Sequence, residues 1–489
     1  MPTRRRSNIP GKRSVSAQRR RAARKNAEVG KTFGRSDAKP RNPKTKVDTS
    51  FMKESPKFAV DGEGMHIPTG NSEVVLTRRQ LLIGAGVVAG VAALGVGASA
   101  YRQSNEDASS FETLTVSTDQ VTTLDDFTQV KSGKAARLEG SYRLPYGTLL
   151  WCNGTAQAVC LLPTSKAKPL VKIGLLALSS GTVTTVVSKA KGQSEGFEIY
   201  DARTSDTGLI WTEENILTGA WRIYTAQIGN GGLEKATKVD EGDSSTQTPT
   251  IAATGERAYW QILPASSDED SGDEGTSLVR TTTFSNPSNV QTIYTYQGTL
   301  ACDLAVGEGG VVIVPAHEGT SSYLQLTLID EGGTVLDALT LPVSMTPQNV
   351  GYGPTGFTFT FADIYDYGDG ISQLGTYAPT EKPGNGDYSQ VSWFRFGRTP
   401  MQSAAWCGDR LMVKSSSTVA GIDLANKQYF TFSLKSGAED YGDCLASEGS
   451  HDRIVTFQNV DNTEAQETGA TSSTGTAKYC LARVWSMKN

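Results

Sequence analysis

Histidine occurs only three times in 489 residues, at His66, His317 and His451. They are far apart, so the chain lacks the closely spaced His/Cys set that a zinc site requires. No G-x-S-x-G elbow, P-loop or H-E-x-x-H motif occurs, which removes the familiar hydrolase, nucleotide-binding and metalloprotease signatures. Cysteine is absent before Cys152, and no long run of 3.6-residue periodicity follows residue 111. A paired-carboxylate glycosidase site depends on a separation in space, which a sequence does not display. The sequence assigns no catalytic residue and no cofactor.

Each half of the chain is also poor in charge of one sign. Residues 1–80 carry 20 Lys/Arg against 7 Asp/Glu, while residues 101–489 carry 27 against 44. The whole-chain value of −4 conceals these opposite halves. Arg4-Arg5-Arg6, Arg19-Arg20-Arg21 and Arg24-Lys25 stand among few large apolar residues. Such a composition buries too little surface to offset its ordering entropy, so residues 1–76 are expected to form a disordered, cytoplasmic, basic tail. No aromatic residues are interleaved for base stacking, so anionic headgroups suit the tail better than nucleic acid.

Between the halves lie twenty uncharged residues, Leu81 to Ala100. At about 1.5 Å per residue they reach about 30 Å as a helix, enough to cross a bilayer core. Thr77-Arg78-Arg79-Gln80-Leu81-Leu82 precedes them, and they end in Ala98-Ser99-Ala100. Thr77, Arg78, Arg79 and Leu82 resemble the twin-arginine export signal, Ser/Thr-Arg-Arg-x-Phe-Leu-Lys. Leu81 stands in place of the Phe, and Ile83 in place of the Lys. The resemblance implies the export machinery of that pathway as a partner, which carries folded proteins across the membrane. Ala98 and Ala100 fit a signal-peptidase site, which would release a secreted protein beginning at Tyr101. The alternative is a retained, single-pass anchor with its basic end inside. Met65 is an alternative start, and it would leave a shorter leader.

Residues 101–110 read as a polar tether, and 111–489 as all-β: short apolar runs between Gly, Asn, Asp and Ser clusters. A degenerate repeat begins at Gly147-T-L-L-W-C, Gly208-L-I-W, Gly255-E-R-A-Y-W-Q-I, Gly309-G-V-V-I-V, Gly356-F-T-F-T-F, Gly408-D-R-L-M-V and Asp452-R-I-V-T-F. The spacing, about 51 residues, suits a four-stranded blade. Seven runs predict a seven-bladed β-propeller. The last unit looks one strand short, and Glu112–Ser117 is expected to supply that strand and close the ring. Leader and periodicity together resemble exported actinobacterial β-propeller proteins with twin-arginine signals. That likeness implies a location and an architecture rather than a chemistry.

Three further expectations concern side chains. Cys152 and Cys160 bracket Asn153-Gly154 and could form a disulfide across a hairpin. Cys302, Cys407 and Cys444 are expected near inner strands, as packing residues. Asp363, Asp366 and Asp369 in D-I-Y-D-Y-G-D-G are a calcium candidate, set against a plain solvated loop. The resulting reading is a membrane-tethered binding or scaffold propeller of the cell envelope, with an envelope protein or glycan as partner. An exported glycan hydrolase or lyase on the same scaffold is the alternative.

If the twin-arginine reading holds, replacing Arg78 and Arg79 together by Lys abolishes export, followed by cell fractionation. Unchanged export would make the segment an ordinary signal anchor.

Overall fold

The computed structural model describes residues 59–60, 65–69, 72–76, 111–164, 171–229, 232–265, 275–318, 320, 322–365, 370–463 and 477–488. The segment Leu81–Ala100 lies outside them, as do Thr77, Arg78, Arg79, Ala98 and Ala100. Among the described residues no helix is long and apolar enough to cross a membrane. The tail differs from expectation near its end. Ala59–Val60, Met65–Thr69 and Ser72–Leu76 form a three-stranded antiparallel sheet. Its second hairpin pairs Thr69 with Ser72.

From residue 136 onward the chain forms a β-propeller arrangement. Successive antiparallel sheets, here sheets 1 to 7, each have a short first strand at the centre. These inner strands are Leu149–Trp151, Glu198–Thr204, Thr250–Thr254, Ala305–Gly307, Asn349–Gly353, Ala405–Cys407 and Cys444–Leu445. Neighbouring sheets pack face to face, so both faces of their strands are buried. In Gly356–Phe361, Phe357, Phe359 and Phe361 alternate with Thr358 and Thr360, and all are buried. The three phenylalanines pack with Tyr377 and Trp393 in the core around sheet 5. A period-2 pattern buried on both sides requires a neighbour on each side, which is what a ring supplies.

The repeat seen in the sequence is the hairpin between the first and second strands. Gly255, Gly309 and Gly408 sit in two-residue turns with φ of 53°, 87° and 58°, the left-handed region that glycine enters freely. The first run breaks the pattern. Gly147-T-L-L-W-C is the inner strand of sheet 1, and the second strand of that sheet is Gln157–Pro163, after Asn153-Gly154. This slip accounts for the long first spacing.

The expected closing strand is also corrected. Glu112–Ser117 is not a strand. Leu114 and Val116 are buried in the core beside sheets 4 and 5, and the Leu114 N–H donates to Thr340 O at 2.8 Å. The chain then runs along the outer edges as a strap. Val121–Thr123 pairs in parallel with Trp393–Phe396 of sheet 5, and Thr128–Gln129 with Gln428–Thr431 of sheet 6. Ala136–Leu144 finally becomes the outer strand of sheet 7, antiparallel to Lys478–Met487. Sheet 7 is completed as expected, but by the next apolar segment along.

One buried ion pair lies at the seam of sheets 6 and 7. Asp443, fully buried, holds Arg483 at 2.7 Å, and Arg483 also donates to Ser433 O. Lys414 approaches from sheet 6 and donates to Tyr441 O at 2.7 Å. Burial pushes the Asp443 carboxyl up to about 6, outweighing the pull of Arg483, a hydrogen bond from Thr456 and the charge of Lys414. A carboxyl raised on folding contributes stability that is complete below its unfolded value and lost as pH rises through the folded one. The wild type should therefore gain stability relative to Asp443→Asn as pH falls from 7 toward about 4, measured as paired thermal midpoints. Parallel pH profiles for the two proteins would refute the assignment.

Candidate functional site

Side chains from sheets that do not adjoin one another meet only on the axis of such an arrangement. Arg203, on the inner strand of sheet 2, donates from Nε to Glu448 Oε1 at 3.0 Å. Glu448 follows the inner strand of sheet 7. Arg203 Nη1 pairs with Asp201 on its own strand and donates to Ala202 O at 3.0 Å. The guanidinium carbon lies 4.5 Å from the centre of the Trp151 ring, from sheet 1. Asp303, just ahead of the inner strand of sheet 4, is close enough to influence the titration of Tyr200.

Local sequence explains the aim of these groups. The strand Glu-Ile-Tyr-Asp-Ala-Arg-Thr, 198–204, contains a bulge between Ile199 and Asp201. A bulge inserts one residue and re-aims those beside it, a common device near functional sites. Burial disfavours the charge of Arg203, and Asp201 and Glu448 more than offset it. Desolvation by the surrounding protein pushes the Glu448 and Asp303 carboxyls up, against the opposing pull of Arg203, although Glu448 is only half-buried and Asp303 keeps an exposed side chain. Tyr200 is pushed up to about 12 by burial, with Glu214, Asp201 and Asp303 adding to it. The site therefore holds three carboxyls against one guanidinium, with a phenol and an indole beside them.

One end of the axis is closed. Asn153, from the first turn of sheet 1, donates from Nδ2 to Ala253 O on the inner strand of sheet 3. Its Oδ1 meets His451 Nε2 at 2.7 Å. The segment 446–451 crosses here: Cys152 N donates to Ala446 O at 2.8 Å, Glu448 N to Cys152 O at 2.9 Å, and Trp406 N to Gly449 O at 2.8 Å. Gly449 has φ +67°, and a Cβ there would stand 3.2 Å from both Asn153 Oδ1 and Val306 Cγ1. Only a glycine fits this crossing without displacing its neighbours. Residues of sheets 1, 3, 4, 6 and 7 thus plug the end that carries the first hairpin turns. Glu448 belongs to this crossing, so the charged group sits on the axis at the plug itself.

The residues singled out in the sequence lie elsewhere, or play other parts. His317 is in the loop between the second and third strands of sheet 4, where Phe111 stacks on it at 3.9 Å. His451 belongs to the plug, and burial lowers its pKa. All six cysteines are buried. The expected Cys152–Cys160 disulfide is not formed. Cys160 pairs with Leu150, while Cys152 leaves the hairpin to bridge Ser447 of sheet 7. Diagonal positions of this kind stand about 7–8 Å apart, beyond the Cα separation a disulfide spans. Cys407 and Cys444 do lie on inner strands, and Cys302 lies just ahead of one. Asp363 stands in its loop with no metal-ligating group of three side chains among the described residues, and Asp366 and Asp369 lie outside them. Buried Glu213 is already engaged, accepting from the Lys191 and Gly192 amides and the Trp211 indole.

Asp201, Arg203, Asp303 and Glu448 were not singled out in the sequence. Their one visible signal is charge inside a short inner strand or beside it, as in Y-D-A-R-T, where burial on both faces otherwise selects apolar residues.

No protein-family model matches the chain, and no curated protein matches it either. Among solved structures it is similar to a prolyl endopeptidase at 12% identity, covering 81% of this chain and 54% of that one, with a TM-score of 0.42. The chain thus spans about half the length of that enzyme. It is similar to YCF48 from Cyanidioschyzon merolae at 9% identity, covering 71% and 98%, with a TM-score of 0.40. It is similar to Sqt1 from Chaetomium thermophilum at 13% identity, covering 68% and 82%, with a TM-score of 0.34.

Proposed function

We propose that this chain is an exported, seven-bladed propeller of the cell envelope, held at the membrane by Leu81–Ala100, and that it works as a binding module. Its site is the charged cluster on the axis, and its ligand is a cationic group such as a protonated amine borne by an envelope protein or glycan. The observation that carries this reading is the excess of carboxyls, Asp201, Asp303 and Glu448, over Arg203 where side chains of separate sheets meet on the axis. A cation reaching the cluster would gain charge-assisted hydrogen bonds and offset the excess of negative charge around Arg203. Trp151 and Tyr200 supply ring surface for it. Twin-arginine export suits a ring that buries its faces only once complete.

The alternative is an exported glycan hydrolase or lyase. What favours it is that the protein around them raises the Asp303 and Glu448 carboxyls together, as a proton-donating carboxyl requires.

Titration calorimetry of the purified full-length chain with a lysine-bearing peptide, and with the same peptide acetylated on its lysines, tests the binding reading. Only the unmodified peptide should bind. Asp303→Asn should weaken it about tenfold or more, the scale of one hydrogen bond to a charged group. Affinity should fall as acid protonates Asp303 and Glu448. Equal affinity for both peptides would overturn the proposal. Release of reducing ends from envelope glycan, lost in Asp303→Asn, would establish the enzyme instead.

A further inference from the structure

The end of the propeller where the inner strands begin is also where large apolar side chains face solvent. In each sheet the link between second and third strands lies at this end, together with the link into the next sheet. Ile216 and Leu217 occupy the sheet 2 link and are 54% and 96% exposed, and Ile364 occupies the sheet 5 link at 68%. Leu434 and Tyr441, at 39% and 42%, lie on the connection from sheet 6 into sheet 7. The other large apolar side chains exposed among the described residues, Leu138, Val335 and Leu336, lie on outer strands. None sits in the first hairpin turns at the plugged end.

Single exposed apolar residues are ordinary on protein surfaces. The distribution here is not: three separated points around a ring, all at one end, define a plane. The strap starts at the same end. Phe111 stacks on His317 and meets Tyr323 edge-on at 5.0 Å, and both partners belong to the sheet 4 link. Only residues 101–110 separate Phe111 from the apolar segment, a reach of at most about 36 Å even when fully extended.

We propose that the end of the propeller where the inner strands begin docks on the bilayer surface, with Leu217, Ile364 and Tyr441 seated at the headgroup–acyl boundary. This rests on the reading of Leu81–Ala100 as a membrane anchor. Asp363 beside Ile364 and Asp440 beside Tyr441 oppose capture by anionic headgroups, so charge does not bring this face to the membrane. The short tether confines it there, and the apolar tips then sink.

The native cysteines are all buried, which leaves single introduced thiols as the reactive positions. Leu217→Cys and Ile364→Cys, with Glu256→Cys in the sheet 3 hairpin turn at the plugged end, are each labelled with an environment-sensitive fluorophore in the full-length chain. The proteins are reconstituted in phosphatidylethanolamine–phosphatidylglycerol vesicles, with and without brominated acyl chains. Labels at 217 and 364 should shift to the blue and lose emission on bromination, while the label at 256 does neither. A chain retained through carbonate washing whose labels at 217 and 364 behave like that at 256 would overturn the docking alone. A chain released by carbonate would overturn the anchor reading and the docking with it.

Discussion

The pairing of Ala136–Leu144 with Lys478–Met487 is the interaction on which the rest of the propeller depends. Each sheet is apolar on both faces and has no stable partner except the next sheet. Without the closing strand, Lys478–Met487 would present an unpaired edge, and the seam between the ends of the ring would be open to water. The two segments lie more than 300 residues apart, so their pairing closes the longest loop in the fold and gains nothing until the intervening sheets are in place. The buried Asp443–Arg483 pair sits on the same last sheet. A misplaced register there would leave a charge buried without its partner, a far larger penalty than a lost surface contact.

The charged cluster follows from the same closure. Asp201, Arg203, Asp303 and Glu448 come from three sheets of which no two adjoin, so the complete ring creates the site. The bulge at Tyr200 and the crossing at Gly449 depart from regular strand geometry in opposite ways. One turns charge toward the axis, and the other lets backbone pass where no side chain fits.

Much of the architecture was legible in the residues, because a two-residue turn demands glycine and a doubly buried strand demands an apolar run. Gly255, Gly309 and Gly408 announce their hairpins for that reason. Gly147 misled because it stands before an inner strand, and because sheet 1 makes its first hairpin with Asn153-Gly154. The closing strand was placed too early, since E-T-L-T-V-S and A-R-L-E-G-S-Y-R-L both alternate, and only packing decides which one pairs. Leu114 and Val116 found a core to enter beside sheets 4 and 5. The site was not legible. Its carboxyls are scattered over some 250 residues, and only the third dimension unites them. The Cys152–Cys160 spacing suggested a disulfide because a hairpin register cannot be read from its turn when one strand leaves to join another sheet.

The strap gives the molecule a mechanical polarity. Tension arriving through residue 110 would load the Phe111–His317 stack first, then the Leu114 and Val116 anchors. After these come two short parallel pairings, at Val121–Thr123 and Thr128–Gln129, and only then the long antiparallel strand that seals the ring. The attachments would yield one after another along the rim, each absorbing work as it parts. The closing strand is last in that series and has the longest pairing, so the ring is shielded from a tug that its outer fastenings take up.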